Sequence, residues 1–90
     1  MKKLVQVQEV EVEGEGLIAF LGKRITLFCM NYTYTGELIG VNATCVLLHD
    51  ASIVYETGAF TDKKWKDAQA LPNDIYVQIG AIESFGEVKS

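Results

Sequence analysis

The most informative part of the chain reads Tyr34-Thr35-Gly36-Glu37-Leu38-Ile39-Gly40-Val41-Asn42. Apolar and polar residues largely alternate around Leu38, which is typical of a β-strand with one face toward a core. Gly36 and Gly40 remove the side chain at two points of this strand, and such glycines mark a sharp bend or a close approach of another backbone. Because a small closed barrel requires strands of this kind, the stretch predicts an all-β barrel.

The residues just before this stretch predict a second strand. Apolar side chains fall on both faces of the chain from Arg24 to Met30, which indicates a strand that is covered on both sides. Asn31 tolerates a positive φ better than other residues with a side chain. We therefore expect a turn at residues 30–32 that leads directly into the strand around Leu38.

Three further strands are predicted after Asn42. Residues 45–48 form a buried third strand, residues 50–51 a turn, residues 52–56 a fourth strand and residues 75–79 a fifth. Helical residues would then make up at most about a fifth of the chain, well below the usual third. The predicted fold class is all-β with a small helical contribution.

The N-terminal part of the chain is predicted to lie outside the five strands. Residues 1–16 alternate apolar and polar side chains with one change of phase, which predicts an N-terminal extension that forms an extra, bulged strand. Residues 17–21 are apolar and end at Gly22, a pattern that predicts a short helix. Residues 17–90 are therefore assigned to the barrel.

The longest predicted connection is a variable loop at residues 57–74. It can hold one helical turn, capped by Thr61 or Asp62. An aromatic side chain stands within a basic patch in this loop, formed by Lys63, Lys64, Trp65 and Lys66. The alternative interpretation is a solvated loop in which Trp65 packs on its own barrel.

Composition limits the possible functions. The chain has 90 residues, 49% of them hydrophobic, and this accounts for one folded domain. Eight Lys and Arg against 12 Asp and Glu give a net charge of −4, whereas nucleic-acid-binding domains are usually basic. A local basic patch can still attract RNA. Because so small a domain buries only about 60 to 65% of its unfolded surface, self-association is favoured.

The cysteines and the apolar residues indicate a cytoplasmic location. Cys29 and Cys45 could form one disulfide, but isolated thiols on apolar strands are more often small buried side chains, and two cysteines do not predict a metal site. No apolar run reaches the roughly 18 residues of a membrane span, and the first residues lack the apolar core of a signal peptide. We expect a soluble protein without a membrane partner.

The chain shows no arrangement of residues that predicts catalysis. His49 is the only histidine, and its simplest interpretation is a strand-end side chain that faces solvent or bonds a neighbour. Asp50 is expected to cap the adjacent turn. Phosphate loops, nucleophile elbows and zinc-type Cys or His pairs are not found in the sequence. We therefore predict no enzyme, no catalytic residue, no cofactor and no metal.

Residues 22–25, 34–42 and 47–51 together resemble the first motif of the Sm-like family, which includes the LSm proteins and bacterial Hfq. The match has no gap, and the matching positions are Gly36, Leu38, Asn42, Asp50 and Ala51.

Residues 77–85 resemble the second motif of the same family, with Ala81 and Ile82 at the matching positions. The resemblance extends over roughly residues 22–85.

The resemblance implies a short N-terminal helix and a strongly bent, five-stranded, SH3-like barrel. It also implies rings in which the fourth strand of one subunit pairs with the fifth strand of the next. For RNA binding it implies a pocket on the pore side, to which Asn42 can supply a polar side chain. Thr44 stands where Hfq has a stacking aromatic, and Ile79 and Gly80 replace its lysine and histidine. The usual contacts to bases are therefore reduced.

Two functions remain open from the sequence. One is an RNA-binding, Hfq-like ring in which Asn42 and Gln78 line the pore side and the basic patch of the loop contributes. The other is a homo-oligomeric scaffold ring that kept the fold without the RNA pocket, which the acidic net charge favours. In both cases the chain is predicted to associate with itself, and its further partner, RNA or protein, is left open.

Overall fold

The computed structural model describes residues 15–89, and most regular structure in this range is β. The six strands are β1 (Arg24–Cys29), β2 (Thr33–Val41), β3 (Cys45–Glu56), β4 (Asp67–Ala70), β5 (Ile75–Gln78) and β6 (Ile82–Gly86). Two short 3-10 helices span Gly16–Phe20 and Ile79–Ala81. The all-β class is thus confirmed. The extra strand predicted for the N-terminal extension falls before Glu15 and so lies outside the described residues.

All six strands belong to one antiparallel sheet, in which five follow the order β4-β3-β2-β1-β6 and β5 pairs with β3. One edge of β3 pairs with β2. The other edge pairs with β4 along residues 52–56 and with β5 along residues 45–48. No pairing within residues 15–89 joins β6 to β4 or β5. The sheet is therefore not closed, and the predicted five-stranded barrel is not confirmed.

The turn predicted at Asp50 and Ala51 is wrong, because β3 continues through both residues. Asp50 takes a positive φ of 49°, and the two residues together lie opposite Gly36 alone in the pairing with β2. This is a β-bulge, which bends a strand without ending it. Arg24 supports the bend, since its Nη1 donates to Asp50 Oδ2 at 3.0 Å and its Nη2 to Asp50 O at 3.2 Å.

The continuity of β3 changes the assignment of the fourth strand. Residues 52–56, predicted as a separate strand at a subunit interface, are the second half of β3. They already pair with β2 on one side and with β4 on the other. Along residues 52–54 both edges are therefore paired within the subunit, and this part of the segment has no free edge for a neighbour.

The segment 57–74 also differs from the predicted loop, because β4 lies within it at Asp67–Ala70. The only apolar residues of β4 are two alanines, which give a weak strand signal, and pairing with β3 is what makes these residues a strand. Before β4 the chain has turns instead of a helix, one of them closed by a hydrogen bond from Asp62 N to Ala59 O at 2.9 Å.

The helix predicted at residues 17–21 is a five-residue 3-10 helix at Gly16–Phe20. Gly16 and Gly22 both take positive φ, 69° and 83°, and they leave room for little more than one turn between them. Phe20 anchors this turn, since its ring meets Phe85 of β6 edge-on at 6.1 Å between centroids. The short helix thus covers one end of the sheet.

The core lies between the bent parts of the sheet. Its buried apolar residues are Ile25, Leu27, Leu38, Val46, Leu48, Ala51 and Val77. Thr35 is also buried and donates its hydroxyl to Ile25 O at 3.1 Å, so its polar atom is satisfied. The bend at Gly36 is essential to this packing, because it brings Ala51 of β3 against β2.

Candidate functional site

The β2–β3 turn uses the side chain of Asn42 for its own structure. Asn42 Oδ1 accepts hydrogen bonds from Thr44 N at 2.8 Å, from Cys45 N at 2.9 Å and from the Thr44 hydroxyl at 3.1 Å. Asn42 N also donates to Cys45 O at 3.0 Å. This is the side-chain-to-backbone bonding by which Asn typically stabilises a turn. The oxygen of the predicted RNA-binding amide is therefore occupied.

Gln78 lies beside this turn at the end of β5. It is exposed and pairs with Cys45, and the next residue, Ile79, donates its N–H to Thr44 O at 2.9 Å. An open cavity of about 630 Å³ lies here, and its lining includes Thr44, Tyr76, Gln78 and Ile79. The structure thus brings the two predicted pore-side positions to one end of the sheet, although Asn42 itself does not line the cavity.

The outer edge of β5 has backbone groups without a partner strand. The bond from Ile79 N to Thr44 O makes these two residues a hydrogen-bonded pair. Because such pairs alternate along an antiparallel ladder, Val77 also directs its backbone groups to β3, whereas Tyr76 and Gln78 direct theirs away. In the described part of the chain β5 pairs with β3 alone. This β5 edge is open at Tyr76 and Gln78.

A second open edge lies on β6. The hydrogen bond from Cys29 N to Tyr32 O shows that odd-numbered residues of β1 face β2, so even-numbered ones face β6. Their partners on β6 include Gly86 and Ser84. Phe85, between them, therefore directs its N–H and C=O outward, where residues 15–89 supply no further strand. This β6 edge is unlike the β5 edge in sequence and shape.

An apolar groove of about 460 Å³ borders the β5 edge and connects it to the β1–β2 turn. Three of its lining side chains are largely solvent-exposed: Met30 at 71%, Tyr32 at 52% and Tyr76 at 72%. Clustered exposed apolar side chains of this size mark interaction surfaces more often than ordinary surface. Sequence reasoning did not single out Tyr76, although its position in an alternating strand beside Gln78 was the available signal.

The structure divides the predicted basic patch. Lys63 and Lys64 are exposed, whereas Lys66 Nζ forms an ion pair with Glu56 Oε2 at 3.4 Å. Trp65 is half-buried, and Lys89 Nζ lies over its ring at 4.8 Å from the centroid. Trp65 is therefore engaged within the chain, and the part of the patch that remains available to a ligand is the pair of exposed lysines.

His49 forms the closest ion pair of the described residues. Its Nδ1 lies 2.7 Å from Asp74 Oδ1, and both side chains are about half exposed. The hydrogen bond to Asp74 and the charge of that carboxylate raise the pKa of His49, with smaller contributions from Glu37 and Asp50. The pair ties β3 to the turn between β4 and β5, so it helps to position the β5 edge.

We expect this ion pair to make stability depend on pH. The pKa of His49 is higher in the folded state than in the unfolded state. The contribution of the ion pair to the free energy of unfolding is therefore complete below about pH 6.5, the ordinary pKa of histidine. This contribution is lost as the pH rises through the raised pKa of the folded state. The difference in Tm between wild type and Asp74→Asn should therefore shrink with rising pH. NMR titration of the single histidine should give a lower pKa in Asp74→Asn, and an unchanged titration would contradict the assignment.

The two thiols are free in the structure. Burial, followed by the charge of Glu83, raises the pKa of Cys29, so this thiol is less nucleophilic than an exposed cysteine. Cys45 Sγ lies 3.6 Å from Asn42 Oδ1 and thus belongs to the β2–β3 turn.

Searches for other types of site give negative findings within residues 15–89. No three His, Cys, Asp or Glu side chains come together as a metal-binding group there. No helix in the same range is long and apolar enough to cross a membrane. Comparisons of the chain with protein-family models, with curated proteins and with solved structures found no match.

Proposed function

We propose that this chain is a self-associating module of the Sm-like type that acts as a homo-oligomeric scaffold. The observation that carries the proposal is the presence of two strand edges that no strand among residues 15–89 covers, one at Tyr76 and Gln78 of β5 and one at Phe85 of β6. Open edges with apolar side chains favour pairing with another chain. The apolar groove next to β5 adds a surface that a neighbouring subunit can cover.

The two edges favour a ring over a two-fold dimer. Pairing the β5 edge of one subunit with the β6 edge of the next joins two different surfaces, so the same contact can be repeated around the assembly. If the rotation that relates neighbouring subunits brings the last subunit back to the first, the assembly is a closed ring. The sequence resemblance to the Sm-like family supports this type of assembly, and the bends at the bulges of β2 and β3 are what such a fold needs. The edges that pair in this proposal are β5 and β6, in place of residues 52–56.

Light scattering coupled to size exclusion tests this proposal directly. At micromolar protein concentration, we expect a mass that is a multiple of the subunit mass. On dilution, the oligomer should dissociate into single subunits. A monomeric mass at micromolar concentration would contradict the scaffold function, because a ring requires association of subunits.

RNA association is a second candidate, and the exposure of Lys63 and Lys64 favours it. Neither lysine has an ion pair among residues 15–89, so both charges are free to contact phosphate. The net charge of −4 acts against binding by the rest of the surface. In a ring these two positions would repeat once per subunit and could act together.

U-rich RNA is expected to bind weakly at physiological salt. Replacing Lys63, Lys64 and Lys66 by Gln should lower the remaining affinity and reduce the slope of log K against log salt by up to about 1.4 per subunit. This is because each of the two lysines without an ion pair among residues 15–89, Lys63 and Lys64, contributes about 0.7 through one phosphate contact to a single strand. Filter retention at several salt concentrations measures both quantities.

The family-type pocket offers the contrasting outcome for RNA. Tight, U-selective binding that Gln78→Ala abolishes and the lysine replacements spare would show that the pore-side pocket acts instead of the loop. Gln78→Ala is the better pocket variant, because Asn42→Ala would also disrupt the β2–β3 turn.

A further inference from the structure

The ammonium group of Lys89 lies in a small cage on the loop before β4. Its Nζ donates to Thr57 O at 2.6 Å and to Ala59 O at 2.9 Å. The same nitrogen lies 4.8 Å from the centroid of the Trp65 ring and 5.8 Å from that of Phe60. Two carbonyl oxygens and two aromatic rings thus surround one cation, and we call this group the ammonium cage.

The cage is held in place by contacts that do not involve Lys89. The backbone takes a positive φ of 67° at Gly58, which lies between the two carbonyls. Each carbonyl oxygen also accepts a backbone bond within the loop, Ala59 O from Asp62 N at 2.9 Å and Thr57 O from Lys66 N at 3.4 Å. The acceptor positions are therefore set by the loop itself.

The aromatic part of the cage has its own support. Phe60 packs edge-on against Phe28 of β1, with 6.3 Å between the ring centroids. Phe28 belongs to the sheet, so this contact helps to orient the Phe60 ring, which is 57% exposed, independently of Lys89. The loop and the sheet thus contribute to the geometry of the cage through contacts other than those of Lys89, and such preorganisation reduces the conformational freedom lost on binding.

The chemistry of the cage matches a lysine side chain. Carbonyl oxygens accept the N–H groups of an ammonium ion, and the faces of Trp and Phe attract its charge. No carboxylate of residues 15–89 forms an ion pair with Lys89, so the cage holds the cation through carbonyl dipoles and aromatic faces. A neutral side chain of the same shape would leave the carbonyls without donors and the rings without a cation.

We propose that the ammonium cage is a binding site for a lysine side chain of a partner protein, which Lys89 of the same chain occupies until a partner lysine displaces it. Lys89 competes as a tethered ligand, at an effective concentration in the millimolar range for a short tether. A partner segment that makes additional contacts to the loop overcomes this competition. The proposal does not depend on self-association or on RNA binding.

The experiment that tests this proposal replaces Lys89 and adds a lysine derivative in solution. Lys89→Met removes the resident ammonium ion from the cage, and Nα-acetyl-lysine methylamide is the added probe. Trp65 is the only tryptophan of the chain, so its fluorescence reports on the cage directly. We expect a saturable change in Lys89→Met and no saturable change in wild type over the same concentrations. The neutral probe Nα-acetyl-norleucine methylamide should bind at least about tenfold more weakly.

Two further variants make the result specific. Lys64→Met removes an exposed loop lysine and leaves Lys89 in place, so it should behave as wild type. Phe60→Leu in the Lys89→Met background should weaken binding of the lysine probe several-fold, since one aromatic face is lost. Equal responses to both probes, or no response in a folded Lys89→Met, would overturn the proposal.

A measurement on the wild type covers the case in which Lys89→Met does not fold. The ring current of Trp65 should shift the NMR signals of the Lys89 side chain upfield relative to those of Lys63 and Lys64. Random-coil shifts for Lys89 would show that it does not occupy the cage and would likewise overturn the proposal.

Discussion

Gln78→Pro is expected to abolish self-association and to leave the subunit folded. Gln78 directs its N–H away from β3, where no strand among residues 15–89 pairs with it, so proline removes a donor that is available to a neighbouring subunit. The backbone there already suits proline, since the φ of Gln78 is −72° and the ring of proline requires about −65°. Val77 before it is extended, as the residue preceding proline prefers. Light scattering should give a monomer.

Two further variants of β5 distinguish a loss of pairing at the β5 edge from a loss of stability of the subunit. Gln78→Ala keeps the N–H and should assemble as wild type does, which excludes an effect of the lost side chain. Val77→Pro removes a donor to β3 at a buried position, so a loss of about 3 kcal/mol or more is expected, and the subunit itself should be strongly destabilised. An assembly of unchanged mass in Gln78→Pro would show that the β5 edge is not the interface.

Gly36→Ala is expected to destabilise the subunit by about 1 to 3 kcal/mol. A Cβ at this position would lie 3.1 Å from Ala51 Cα and 3.1 Å from His49 O. Both are backbone atoms of β3, so the bulge that bends the sheet must move. Because small domains have only about 5 to 15 kcal/mol of stability and each kcal/mol changes Tm by about 4 to 8 °C, thermal unfolding should show the loss clearly.

Gly40→Ala in the same strand is the matched control. There the added Cβ would meet Leu47 Cβ at 3.4 Å, an ordinary contact, and replacing glycine within a strand can add about 0.5 to 1 kcal/mol of stability. We therefore expect a Tm equal to or above that of wild type. If both variants had the same Tm, the close approach of β2 and β3 at Gly36 would not be needed for the fold.

Local sequence patterns were sufficient for the parts of the sheet formed by neighbouring residues. The alternation from Arg24, the turn at residues 30–32 and the bend at Gly36 are all present in the structure. Each depends on interactions within a few residues, on side-chain period or on the conformational preference of Asn or Gly. The all-β class follows from these same patterns.

Only the tertiary structure decided which backbone groups remain free. Residues 52–56 have the pattern of a separate strand, yet they pair along their second edge with β4, whose four residues give only a weak strand signal. The sequence predicts Asn42 as a binding residue, but in the structure its side-chain oxygen accepts hydrogen bonds from the backbone of its own turn. Lys89 meets a loop some 30 residues earlier in the chain. Contacts between residues so far apart in the sequence produce no local periodicity. The open edges and the ammonium cage could therefore be identified only from the tertiary structure.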